Sequence, residues 1–310
     1  MTDPVRGTGA LPRPKAPVPQ PPPSRVHRWR AEGEALARSV RSRLRGRDLA
    51  LIGAGLTFYA GIAVVPLIVL AIALTALLTS PEEVSRLASR LGDVLPAELG
   101  APQALDRLVE AGLQLDVLRG LLALFPMSFY GEGLRRALLR FRDEVEDRTG
   151  WRGRLLILPL LLITPLLLYP LLEVGRLLAE LQETAGAAAR VGGLALGYYS
   201  VLFALTLPLI WGFRVVAAGR LRWRAVVPGA LFTAACLSGF LQGFVLFLAL
   251  PLDLGAPFGG LTVVGGVVAV GLWLFLLLLV GIAGWLTTQA LHDRITNGPG
   301  ASLAAEPAAG

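Results

Sequence analysis

Long apolar runs separated by short charged stretches fill the chain from Leu49 onward, and their length decides what they are. About 20 apolar residues rising ~1.5 Å each cross a ~30 Å hydrocarbon core. Six segments meet that measure, at about 49–78, 118–138, 155–178, 191–216, 225–250 and 261–286. The pattern predicts an all-α integral membrane protein, a bundle of six transmembrane helices with amphipathic interfacial helices. The second segment is the weakest, because Gly131, Glu132 and Gly133 interrupt it and Arg135 and Arg136 follow. The first, Leu49–Leu78, carries no charge, yet it holds Gly53, Gly55, Thr57, Tyr59 and Gly61, and Pro66 divides it. As one helix it would measure ~45 Å, too long for an upright span. A strong tilt, or an inward turn with Phe58–Pro66 as the joint, is therefore expected.

Weaker periodicities lie outside these segments. Residues 25–47 place Val26, Trp29, Leu36, Val40 and Leu44 at helical spacing among many arginines, which predicts a basic amphipathic helix on the cytoplasmic leaflet. A flank that merely follows the positive-inside bias is the alternative. In 80–117, Val84, Leu87 and Leu91, then Leu105, Leu108, Val109 and Leu113, predict two short amphipathic helices divided near Pro96 and Pro102. These either lie on the outer leaflet or cover an opening between spans. Residues 1–24 are proline-rich, have no apolar stretch of the kind a cleavable signal peptide needs, and are expected to be a disordered tail. Residues 291–310 are expected to be a second disordered tail.

Charge gives the orientation. The connection 80–117 is acidic, with Glu82, Glu83, Asp93, Glu98, Asp106, Glu110 and Asp116, whereas 135–154 is dominated by arginines. Glu173, Glu180 and Glu183 mark the next connection, Arg214, Arg220, Arg222 and Arg224 the one after, and Asp253 the last. This alternation puts both termini in the cytoplasm.

Composition agrees. Apolar residues make up 54% of the chain and charged ones 16%, outside the range of a soluble domain. All but one of the 29 basic residues are Arg, Lys15 being the exception, and they flank the apolar runs. The net charge of +7 therefore reflects membrane orientation, and no nucleic-acid partner is expected. The single cysteine, Cys236, excludes an internal disulfide, and His27 and His292 lie outside every apolar run. HExxH, P-loop, GxGxxG and GxSxG patterns are missing, so no enzyme, metal site or cofactor is expected.

The candidate residues follow from polarity and size. Thr57, Phe58, Tyr59, Pro66, Glu132, Pro165 and Gln242 are candidates for a cavity or hinge, because polar, ionisable and helix-breaking residues inside a membrane are costly. For Glu132 two readings stand: an ion pair with Arg135 and Arg136, or a proton or cation site. Gly193, Gly197, Gly239, Gly243 and Gly265 have the spacing of close helix packing, with a pore lining as the alternative. Arg41, Arg43, Arg45, Arg47, Arg220, Arg222 and Arg224 are candidate contacts to anionic lipid.

GLTFYAGIAVVPLIVLA in the first span, RLRWRAVVPGALFTAACLSGFLQGFVLFLAL, and the later FGGLTVVGGVVAVGLWLFLLLLV together resemble the YihY/BrkB family of bacterial inner-membrane proteins. The matching residues are Phe58, Tyr59, Pro66, Trp223, Pro228, Gly229, Gly260 and Trp273. GWLTTQA, Gly284–Ala290, departs from the acid-bearing end of that family's last span. The resemblance implies six spans and a place in the bacterial envelope. The family's older ribonuclease label finds no support in these residues.

The expected function is the movement or accommodation of a lipid or other amphiphile of the envelope. A non-catalytic scaffold in envelope biogenesis is the rival, and an intramembrane enzyme the third reading. Membrane lipids are the expected partners, with an envelope protein or a second copy of the chain as further ones.

Overall fold

The computed structural model describes residues 25–95, 100–141, 154–156, 158–183, 186–217, 221–248, 250 and 252–297. Two compact units divide the chain, Met1–Ala35 and Leu36–Gly310. Of the first, the described part is the opening of helix α1 (Arg25–Leu44), in which Arg30–Glu34 are exposed. The proline-rich segment 1–24 lies outside the described residues.

The second unit is helical, without strands, in its described residues. After the end of α1 come α2 (Leu49–Leu78), α3 (Pro81–Val94), α4 (Ala101–Leu113), α5 (Val117–Leu139), α6 (Leu158–Glu183), α7 (Ala187–Trp211), α8 (Trp223–Leu248) and α9 (Thr262–Asn297). Side-chain caps set several starts. Asp48, Ser80 and Asp116 accept from the backbone N–H of Leu51, Glu83 and Arg119 at 3.0, 3.1 and 2.7 Å, which satisfies donors that an open helix end leaves unpaired. Among the described residues five helices, α2, α6, α7, α8 and α9, are long and apolar enough to cross a membrane. The α5 helix is not among them, because Arg119, Glu132, Arg135 and Arg136 dilute its apolar character.

The expected joint in the first span is not there: α2 continues through Pro66 as one helix. Its length is matched by partners instead, since α3, α4, α5, α6 and α9 all pack against it. Gly53, Leu56, Ala60 and Ala63, then Leu70, Ile72 and Thr75, form its buried side. Gly53 lies against Phe275 and Leu279 of α9, and Ile72 against Gly112 of α4.

The α3 and α4 helices do not lay their apolar faces on a leaflet. Val84, Leu87, Ala88 and Val109 are buried with Ile72 of α2 and Leu172 of α6, and Leu91 sits against Gly175. The pair covers α2 and α6. At the other end, α9 extends to Asn297, into a segment expected to be a disordered tail. That extension is anchored: Asp293 pairs with Arg43, and His292 Nδ1 accepts from the Arg222 backbone N–H at 3.1 Å.

Glycine at 265 is required by a close approach, since its α-carbon faces the backbone carbonyl of Leu254 in the loop before α9. Gly259 and Gly260 in the same loop have φ of 66° and 85°, which side chains resist. Gly265→Ala is expected to cost about 1–3 kcal/mol through overpacking. Gly266→Ala, which meets nothing, is expected to be near neutral. Thermal unfolding in detergent compares the two.

Candidate functional site

The α7, α8 and α9 helices are joined by two different seams, and an open groove lies between them. In the α7–α8 seam, side chains of one helix bond the backbone of the other. Tyr198 Oη donates to the Ala235 carbonyl at 3.2 Å, Ser238 Oγ to that of Tyr198 at 2.6 Å, and Gln242 Nε2 to that of Leu194 at 3.1 Å. Such bonds hold helices together where lipid supplies no hydrophobic drive.

The α8–α9 seam is reciprocal. Both helices carry Gly-x-x-x-Thr, at Gly229–Thr233 and Gly284–Thr288. Thr288 fills the space over Gly229 and Thr233 that over Gly284, leaving no room for a Cβ at either glycine. The opposed order of these contacts makes the two helices antiparallel. Each threonine hydroxyl donates to the carbonyl of the glycine on its own helix, at 2.7 Å for Thr233 and 2.8 Å for Thr288, so the seam is tight and polar-satisfied.

The groove measures about 660 Å³ and is walled by Tyr198 of α7, Phe232, Cys236, Gly239, Phe240 and Gly243 of α8, and Trp273, Ala283 and Thr287 of α9. Small-molecule sites have volumes of about 300–1,000 Å³. Trp273 is braced by Phe240, Phe244 and Phe247, with ring centroids 5.5, 5.1 and 5.8 Å away. The hydroxyls around the groove are turned into the helices: Tyr198 and Thr233 as above, and Thr287 to the Ala283 carbonyl at 2.8 Å. What the groove presents is therefore a hydrocarbon surface.

A second polar centre lies on α5. Glu132, 7% exposed, pairs with Arg136 on its own helix and with Arg154 Nε at 2.7 Å. The Arg154 guanidinium also covers the Phe129 ring at 4.3 Å. Arg135 turns elsewhere, its Nη1 donating to the Val216 carbonyl at 3.0 Å where α7 ends in a π turn, Gly212–Val216. Gly133 seats the Tyr59 ring of α2.

The cavity candidates read from sequence do not converge. Thr57 bonds back to the Gly53 carbonyl at 2.8 Å, Phe58 is 65% exposed, Pro66 is half-buried and Pro165 is buried in α6. Together with Tyr59, Glu132 and Gln242, none lines the groove. Among the glycines, Gly239 and Gly243 are groove positions where a Cβ would meet only ordinary contacts. Gly193 is in ordinary contact with Leu178, Gly197 faces Gln242, and Gly265 faces a loop. Of the arginines, Arg41, Arg45, Arg222 and Arg224 are exposed, Arg43 pairs with Asp293, and Arg47 lies over Phe141 at 5.3 Å. Arg220 lies outside the described residues.

The model of the virulence factor BrkB family matches residues 40–308, nearly the whole of the second unit. The chain belongs to the BrkB family. With its five apolar helices, this BrkB-family chain is a multi-pass membrane protein. No curated protein matches it, and no solved structure does. Polarity marked Gln242, which this BrkB-family chain uses in its α7–α8 seam, but not the groove, whose walls, Cys236 and Phe240 among them, are mostly apolar or small. The repeated Gly-x-x-x-Thr was the signal that could have found the α8–α9 seam.

Proposed function

We propose that the protein takes the hydrocarbon part of an envelope lipid or similar amphiphile into the α7–α8–α9 groove and lets it move across the bilayer, without a chemical step. One observation carries this reading: a groove of about 660 Å³ whose hydroxyls are all spent on helix backbone, so that an apolar chain loses no hydrogen bond by entering.

In the same reading α5 is the sixth span, and the protein sits in the inner membrane with both termini in the cytoplasm. The Glu132 pairs support a span at α5, because they neutralise the carboxylate that otherwise weighs against one. The inward orientation is supported by exposed Arg41, Arg45, Arg222 and Arg224, on segments joined to the end of α9 through Arg43–Asp293 and Arg222–His292. These arginines are suited to anionic lipid head groups, and the reading involves no nucleic acid.

The test is photo-crosslinking with a phospholipid bearing a diazirine on its acyl chain, mapped by mass spectrometry. Adducts at Cys236, Phe240 and Trp273 are expected to exceed those at Phe58 and Phe125, which are exposed elsewhere. Gly239→Leu and Gly243→Leu, which fill the groove, are expected to reduce the groove adducts at least fivefold. Equal labelling of all apolar surface would remove the proposal.

A further inference from the structure

Trp285 Nε1 and Gln289 Oε1 are among the buried side-chain atoms that have no hydrogen-bond partner within the described residues of the second unit. Trp285 is fully buried and Gln289 is 6% exposed. They stand one helical turn apart on α9, so their side chains share a face of that helix. One is a donor without an acceptor, the other an acceptor without a donor, and they do not bond each other. Rotating the Gln289 amide exchanges its acceptor for a donor and leaves the need for a polar partner unchanged. Buried polar groups in folded proteins are satisfied by protein or by ordered water, and a dry orphan of this kind is rare.

We propose that one buried water molecule is bound between Trp285 and Gln289, accepting from the indole N–H and donating to the amide oxygen. The surroundings favour water over an ion. The Trp285 ring packs on Phe213 of the π turn, with centroids 5.5 Å apart, and the same turn supplies the Val216 carbonyl held by the buried guanidinium of Arg135. A cation finds no acceptor in the indole N–H and an anion is opposed by the Gln289 oxygen, whereas water meets both a donor and an acceptor.

The position gives the water a structural task. Trp285 and Gln289 immediately follow Gly284 and Thr288, the α9 residues of the seam with α8, so the water lies on the flank of that seam. It fixes the rotation of α9 about its axis, and with it the groove wall formed by Ala283, Gly284 and Thr287. The inference rests on core geometry and does not depend on what occupies the groove.

The test is solution NMR of the full-length protein in detergent micelles with 15N-labelled tryptophan, the Trp285 indole signal being assigned by its loss in Trp285→Phe. If that variant does not fold, assignment by elimination uses Trp→Phe at the other five positions. The expected result is a cross-relaxation peak between the Trp285 indole proton and water despite complete burial, and its disappearance in Gln289→Leu. Exposed Trp223 serves as the positive control. No water peak at Trp285 while Trp223 shows one would overturn the proposal. So would a Trp285 peak that persists unchanged in Gln289→Leu, because the water would then not bridge the two.

Discussion

Replacing Gly284 with leucine is expected to abolish accumulation of folded protein. The glycine's α-carbon lies under Thr233, and the same contact is repeated in mirror order at Gly229 and Thr288. An isobutyl group there pushes α9 away from α8 along a seam that lipid does not help to close. Overpacking a good core costs about 1–3 kcal/mol, and a blocked backbone approach lies at or beyond the top of that range. Gly229→Leu is expected to behave the same way. Two controls separate this account from a general intolerance of change. Gly239→Ala and Gly243→Ala, on the same α8 helix, meet only ordinary contacts and are expected to leave the folded yield unchanged. Thr233→Ala is expected to rescue Gly284→Ala in part, because it vacates the volume that the new methyl needs. Fluorescence-detected size-exclusion chromatography reads all of these.

Glu132→Leu is expected to be the most destabilising change on α5. The carboxylate is 7% exposed and is held by Arg136 and Arg154, so its removal leaves two arginines facing one another without their anion. Breaking a fully buried pair costs about 3–5 kcal/mol. The Arg136 and Arg154 side chains keep 55% and 30% exposure and can turn outward, which lowers the expected cost to about 1–3 kcal/mol. Glu132→Gln retains hydrogen-bonding capacity and is expected to cost less. A lower thermal midpoint with unchanged lipid movement per folded molecule is the outcome for a carboxylate whose role is structural. A normal midpoint with lost movement would assign it a proton or cation role instead.

The spans were legible in the sequence because length and hydropathy are set by the bilayer, a property of each segment alone. The α2, α6, α7, α8 and α9 helices were found on that basis. The apolar periodicity of 80–117 likewise revealed α3 and α4, since Val84, Leu87 and Val109 face the core that they help to make. Pairings between segments were not legible. Pro66 suggested a break because proline removes a hydrogen bond, yet five neighbouring helices support α2 and it runs on. The C-terminal boundary was placed too early because the ion pair that holds 291–297 in a helix joins Asp293 to Arg43, far away in sequence. An ion pair was one of the two readings open for Glu132; of its expected partners Arg136 pairs with it while Arg135 bonds the Val216 carbonyl, and the further partner Arg154 is 22 residues away in sequence. The groove was legible only at Gly239 and Gly243, for which a pore lining stood as the alternative; its other walls are mostly ordinary apolar residues, and its openness depends on how three helices meet.

Transbilayer lipid movement in proteoliposomes measures the central claim directly. Vesicles carrying the purified protein and a trace of headgroup-fluorescent phospholipid are treated with a membrane-impermeant quencher, and the slow phase of quenching reports exchange between leaflets. The account predicts that the wild-type protein accelerates this phase at least tenfold over protein-free vesicles. It also predicts that Gly239→Leu and Gly243→Leu, folded by size-exclusion chromatography, return it to the background rate. No acceleration by folded wild-type protein across phospholipids of different head groups would contradict the account, as would acceleration that is indifferent to filling the groove.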